Sequence, residues 1–158
     1  MWLRLSIIFL LFIFLGILQT SFLVHFNIIG ANLNLIFILF YLIVFFERSQ
    51  KYIQGIFSAI VAGFFLDALS SFYFGISFIY LLIITFIIKY ILHLLKKKRG
   101  EYPIIYFTPL FVLSFIIYSL VLRITFNWIF LIEIVYNLVF ALFGFYIYKK
   151  FKLYKLEK

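Results

Sequence analysis

The chain contains no cysteine. That excludes a disulfide framework, a thiolate nucleophile and any cysteine-based metal site. Charge is scarce too: only 12% of the 158 residues are Asp, Glu, Lys or Arg, about half the share usual in soluble domains. The two histidines, His25 and His93, fall near opposite ends of different apolar runs, so they do not form a metal-ligating pair. No Walker-type Gly-Lys-Ser/Thr loop is present, and the chain does not drive a process with nucleotide on its own. Intramembrane proteolysis calls for two aspartates on facing helices, a Ser with a His, or a His-Glu-x-x-His helix; none of these occurs. The sequence therefore describes a protein that is not an enzyme, with no cofactor and no metal.

What is abundant is apolar. Hydrophobic residues make up 68% and aromatics 25%, and the mean hydropathy is +1.24. A soluble core has no room for that much apolar surface, so the expectation is a single integral membrane domain over residues 1–158. The net charge of +9 is compatible with nucleic-acid binding, but the basic residues cluster at the ends of apolar runs. There they act as topology determinants and as anchors for anionic lipid headgroups, and no nucleic acid is invoked.

Six apolar runs predict helices over about residues 3–24, 31–46, 53–67, 75–95, 103–122 and 128–148. The fold class expected is all-α: a polytopic bundle of six transmembrane helices. A signal peptide competes for the first run, because Arg4 precedes it. The run is long, however, and Gln19 to Asn27 makes a poor cleavage site, which favours a retained helix. The second and third runs are short for a perpendicular span, so Ala31 and Asn32 are expected to extend the second helix. Short spans with Gly and polar ends also occur in broken transporter helices. Pro103 suits a first helical position, whereas Pro109 should bend the fifth helix or mark its start.

With the N-terminus in the cytoplasm, thirteen of the fourteen Lys and Arg residues lie inside. They are Arg4, Arg48, Lys51, Lys89, the anchor cluster Lys96, Lys97, Lys98 and Arg99, and the C-terminal lysines beginning with Lys149 and Lys150. Arg123 alone lies outside. This bias predicts both termini in the cytoplasm of a bacterial inner membrane. Intramembrane polar residues then gather in the outer half: Gln19, Thr20, Asn32, Asn34, Asp67, Ser70, Ser71, Glu133 and Asn137. An ionised carboxylate at membrane depth costs about 2.5–3.5 kcal/mol even on lenient scales. Asp67 and Glu133 should therefore face protein, and Arg123 is a candidate partner for either. Asn137 lies one turn beyond Glu133 on the sixth helix and should bond across helices.

The stretch from Gly55 to Gly75 stands out. Gly55, Ala59, Gly63 and Asp67 recur every four residues and line one face with almost no side chain until the acid. Such faces let another helix approach closely, within the bundle or from a partner.

These motifs resemble the MreD family of rod-shape-determining membrane proteins. Leu18-Gln19-Thr20-Ser21 followed by Gly30 looks like the family's opening. Gly55, then Gly63-Phe-Phe-Leu-Asp67-Ala-Leu-Ser70, then Gly75, is similar to its most recognisable segment, and Tyr136-Asn137 to its last helix. The chain departs from the family at Ala31-Asn32, where Pro-Asp is usual, and in lacking a proline in the last helix. The resemblance implies a non-enzymatic subunit of the complex that builds lateral peptidoglycan. Its implied partners are the bitopic protein MreC and, through the complex, MreB filaments, RodA and a transpeptidase. It also implies a bundle resembling the substrate-binding subunits of energy-coupling-factor transporters. The alternative function follows from that likeness: a vitamin-type binding subunit, whose outer polar groups would line an enclosed pocket of several hundred cubic ångströms.

Overall fold

A computed structural model describes residues 2–22, 30–47, 52–69, 74–99, 104–121 and 127–150. Among the described residues six α-helices carry the fold: α1 (Trp2–Ile17), α2 (Leu35–Phe46), α3 (Ile53–Leu69), α4 (Ile76–Arg99), α5 (Ile104–Val121) and α6 (Trp128–Lys150). A π-helical turn, Leu18–Phe22, continues α1. Successive helices run antiparallel, so the bundle has two ends. The α2–α3 connection lies at one, called the Glu47 end, and the α3–α4 connection at the other, called the Asp67 end. Among the described residues, four stretches are long and apolar enough to cross a membrane: Trp2–Ser21, Ile76–Leu95, Ile104–Val121 and Trp128–Lys150. With large apolar side chains facing outward along α1, α4, α5 and α6, this is the architecture of a multi-pass membrane bundle.

The second helix begins later than the sequence suggests. Ala31 and Asn32 lie outside it, and Asn34 is its N-cap, its side chain accepting from the Phe37 N–H at 2.9 Å. The resulting 12 residues span only about 18 Å. The shortness has a structural reason: α2 sits in the middle of the bundle, and none of its large apolar side chains is exposed. A helix enclosed by other helices is released from the length requirement that lipid imposes. The fifth helix runs through Pro109 and starts at Ile104.

Aromatic rings fill the centre. Phe37, Tyr41 and Phe45 recur every four residues on α2 and meet Phe107, Phe111 and Phe115, which recur likewise on α5. Ring centroids lie 5.4 Å apart for Phe37 and Phe115, 5.1 Å for Tyr41 and Phe111, and 5.0 Å for Phe45 and Phe107. Most of these pairs meet edge to face, the arrangement ring quadrupoles favour, each contributing about 0.5–1.5 kcal/mol beyond its burial. Phe145 of α6 closes the stack at 4.8 Å from Phe107. The Tyr41 hydroxyl finds the Phe107 carbonyl, and the Tyr80 hydroxyl the Ser114 carbonyl, so these rings bury no orphan polar group.

Candidate functional site

At the Glu47 end the chain turns from α2 into α3. Glu47 follows the last residue of α2, and its carboxylate points onto the start of the next helix. The Gln54 N–H donates to Oε1 at 2.8 Å and the Gly55 N–H to Oε2 at 3.0 Å. These are two of the donors a helix N-terminus leaves unpaired, and a negative charge there also complements the helix dipole. Lys89, reaching in from α4, completes the cluster. Its Nζ lies 2.8 Å from Oε2 and donates to the Glu47 backbone oxygen at 2.9 Å, with side-chain exposures of 0% for Lys89 and 1% for Glu47. Gly55 makes the approach possible, since a Cβ there would stand 2.8 Å from Glu47 Oε2.

The Asp67 end repeats the device. Asp67, near the end of α3, takes the Gly75 N–H at 2.8 Å and the Ser77 N–H at 2.9 Å, with the Phe78 N–H further off at 3.4 Å. Gly75 sits at φ +102°, where a side chain is strained. In both turns an acid lies eight residues before the glycine whose N–H it takes. Glu47 and Asp67 play matching parts: each sits at or near the end of one helix and caps the next. The sequence singles out Asp67 and Gly75 as packing residues without pairing them and leaves Glu47 unremarked, although the equal spacing is present in it.

Asn137 joins a third set of groups at the Asp67 end. Its Oδ1 accepts the Asn34 N–H at 2.8 Å, and its Nδ2 donates to the Asn32 carbonyl at 3.0 Å and to the Glu133 carbonyl at 2.9 Å. Gln19, carried by the π-helical turn, accepts from the Ile36 N–H at 3.4 Å. Three side chains from three elements therefore satisfy the opening N–H groups of α2: Asn34 itself, Asn137 of α6 and Gln19. The structure brings Gln19, Asn32 and Asn137 together around the start of α2. The Glu133 backbone takes part, while its half-buried carboxylate does not.

The small-residue face of α3 is occupied from within the chain. Gly55, Ala59, Gly63 and Asp67 are all buried. A Cβ on Gly63 would stand 2.5 Å from Phe78 Cα, backbone against backbone, and one on Gly55 would stand 3.2 Å from the Thr85 methyl group. The two contacts fix the antiparallel register of α3 on α4. Gly63 is consequently covered by α4, which leaves no room there for a partner helix. Lys89 also departs from its expected place: it is buried in the ion pair rather than grouped with the basic cluster after it. The outer half was expected to hold the polar groups, yet the buried ion pair lies at the opposite end. A lysine inside an apolar run, rather than at its end, was the available signal.

Of the remaining anchors, Lys149 and Lys150 are exposed at the end of α6. Lys96, Lys97, Lys98 and Arg99 form the last turn of α4. Ser70 and Arg123 lie outside the described residues, as does His25. Among the described residues, no group of three His, Cys, Asp or Glu side chains could hold a metal.

Two hollows among the described residues lie along α6 and its start, open to the surroundings. One of about 370 Å³ is lined by Asn127, Trp128, Phe130 and Leu131. The other, about 500 Å³, is an apolar groove from Trp128 to Phe140. Chemically, the sites described do one thing: they hold helix ends in place through carboxylate and amide oxygens.

No family model, curated protein or solved structure matches the chain.

Proposed function

We propose that the protein is a non-enzymatic scaffold subunit of the bacterial cell-elongation complex, helping to assemble the machinery for lateral peptidoglycan synthesis and rod shape. In this reading six helices lie in the inner membrane with both termini cytoplasmic. The Glu47 end is then the cytoplasmic end, where Lys149, Lys150 and the basic cluster ending α4 meet anionic lipid. The partner is an MreC-like bitopic protein, and through it the complex includes MreB, RodA and a transpeptidase.

One observation supports the reading beyond resemblance: among the described residues, aromatic rings fill the middle of the bundle. A subunit that encloses a small solute requires a cavity lined by convergent polar groups. Here Phe37, Tyr41, Phe45, Phe107, Phe111, Phe115 and Phe145 occupy the centre. Asp67, Asn137 and Gln19, which would have lined such a pocket, spend their oxygens on backbone N–H groups. These features favour a rigid body that presents its surface to other proteins, and they weigh against the vitamin-binding alternative.

Co-purification tests the proposal. The tagged chain is expressed with the MreC-like protein of the same cells or with the membrane coupling subunit and ATPases of an energy-coupling-factor transporter. Retention of the first is expected. Retention of the second, together with saturable binding of a vitamin, would overturn the scaffold assignment.

A further inference from the structure

The serine and threonine hydroxyls buried in this bundle turn back onto their own helix. Thr85, Ser114 and Ser119 each donate to the carbonyl four residues earlier, at 2.7, 2.7 and 2.9 Å, and Ser58 donates to the Gly55 carbonyl at 2.9 Å. Such back-bonding satisfies a hydroxyl inside an apolar helix. Ser77 departs from the pattern. It is the second residue of α4, so no carbonyl of that helix lies four residues before it, and its own N–H is held by Asp67. The residue is fully buried. Among the described residues, its Oγ is the one buried side-chain oxygen or nitrogen without a hydrogen-bond partner.

Ser77 faces the hydroxyl of Tyr118, which the side chain of Asn34 also approaches. Tyr118 stands three residues before the end of α5. Its ring is held between Phe37 and Tyr80, with centroids 5.2 and 5.6 Å away, which fixes where the hydroxyl points. Asn34 spends its Oδ1 on the Phe37 N–H, so its amide nitrogen is the part left to reach Tyr118. Two hydroxyls and an amide, from three helices, therefore meet in one place at the Asp67 end. The carboxylates of Asp67 on α3 and Glu133 on α6 act on the same hydroxyl through space, so the surroundings are polar. Facing polar groups that do not bond directly are commonly joined by water, and a buried water takes about three such partners.

We infer that a water molecule is bound among Ser77, Tyr118 and Asn34, tying the start of α4 to the last turn of α5 and the start of α2. Each hydroxyl both donates and accepts and the amide nitrogen donates, so the water finds acceptors for its hydrogens and donors for its oxygen. Asp67 joins α3 to α4 at this end and Asn137 joins α2 to α6; the water adds α5 to that set. The site is independent of which partner the protein takes.

Hydroxyl-radical labelling by X-ray irradiation of the full chain in detergent micelles, read by tandem mass spectrometry, tests it, because the radicals form from water where it is bound. Tyr41 is the internal reference, a fully buried residue of the same type whose hydroxyl is spent on the Phe107 carbonyl. Oxidation of Tyr118 with Tyr41 silent is expected. Ser77→Ala removes one partner of the water and should lower Tyr118 oxidation by about three- to tenfold, the worth of one hydrogen bond. Tyr41 should stay silent in that variant; if it does not, Ser77→Gly replaces it. A Tyr118 as silent as Tyr41 would overturn the inference. So would Tyr118 oxidation unmoved by loss of the Ser77 hydroxyl, since solvent then reaches the ring by another route.

Discussion

Replacing Lys89 with methionine is the sharpest test of how this bundle is held together. Methionine keeps the length and apolar stem of lysine and removes only the ammonium. In the native protein the Glu47 carboxylate receives three donors: Gln54 N–H, Gly55 N–H and Lys89 Nζ, the last at 2.8 Å with both side chains at most 1% exposed. Without Nζ the carboxylate keeps two neutral donors and loses its counter-charge in a site closed to water. Removing one partner of a buried pair costs about 3–5 kcal/mol, most of it the penalty of stranding the other charge. Neutralising both groups in Glu47→Gln/Lys89→Met removes the stranded charge. It still forfeits one acceptor for the start of α3, so a residual loss of about 1–2 kcal/mol is expected. The double variant should thus be more stable than either single one. The assay is a denaturant titration in detergent micelles followed by far-ultraviolet circular dichroism, analysed as a double-mutant cycle. A Lys89→Met loss below about 1 kcal/mol, or a double variant that loses the sum of the two single losses, would refute the reasoning.

Two further substitutions follow from the same geometry. Gly63→Ala places a methyl group 2.5 Å from Phe78 Cα, so α3 and α4 must move apart, whereas Gly144→Ala meets only the end of the Leu42 side chain at 2.6 Å. The first should cost about 1–3 kcal/mol and the second less than about 1 kcal/mol, because a leucine tip can change rotamer and a backbone cannot; equal losses in the same titration would count against the close helix crossing. Asn137→Ala removes the acceptor for the Asn34 N–H and the donor to the Asn32 carbonyl. A loss of about 1–3 kcal/mol is expected, with faster hydrogen exchange at the Asn34 amide, and unchanged exchange there would show that Asn137 does not hold the start of α2.

Much of this protein is legible in its residues alone. The apolar runs and the near absence of charge determine a helical membrane protein, because lipid leaves backbone groups no partner outside their own helix. Small residues at four-residue spacing in Gly55, Ala59 and Gly63, ending on Asp67, announce a close crossing. Which helix fills the small face was not legible. That depends on the antiparallel register of α3 and α4, which Gly63 against Phe78 sets only once both helices exist. The start of α2 escaped for a similar reason. Its length follows from being enclosed by its neighbours, a property of the bundle rather than of the run Leu33–Phe46. The Glu47–Lys89 pair shows the limit most plainly. The two residues are 42 positions apart, and a lysine in an apolar run reads equally as a surface anchor or a buried ion. Only the folded bundle, by bringing α4 across the α2–α3 turn and leaving space at Gly55, decides that this charge is buried and that it is paired.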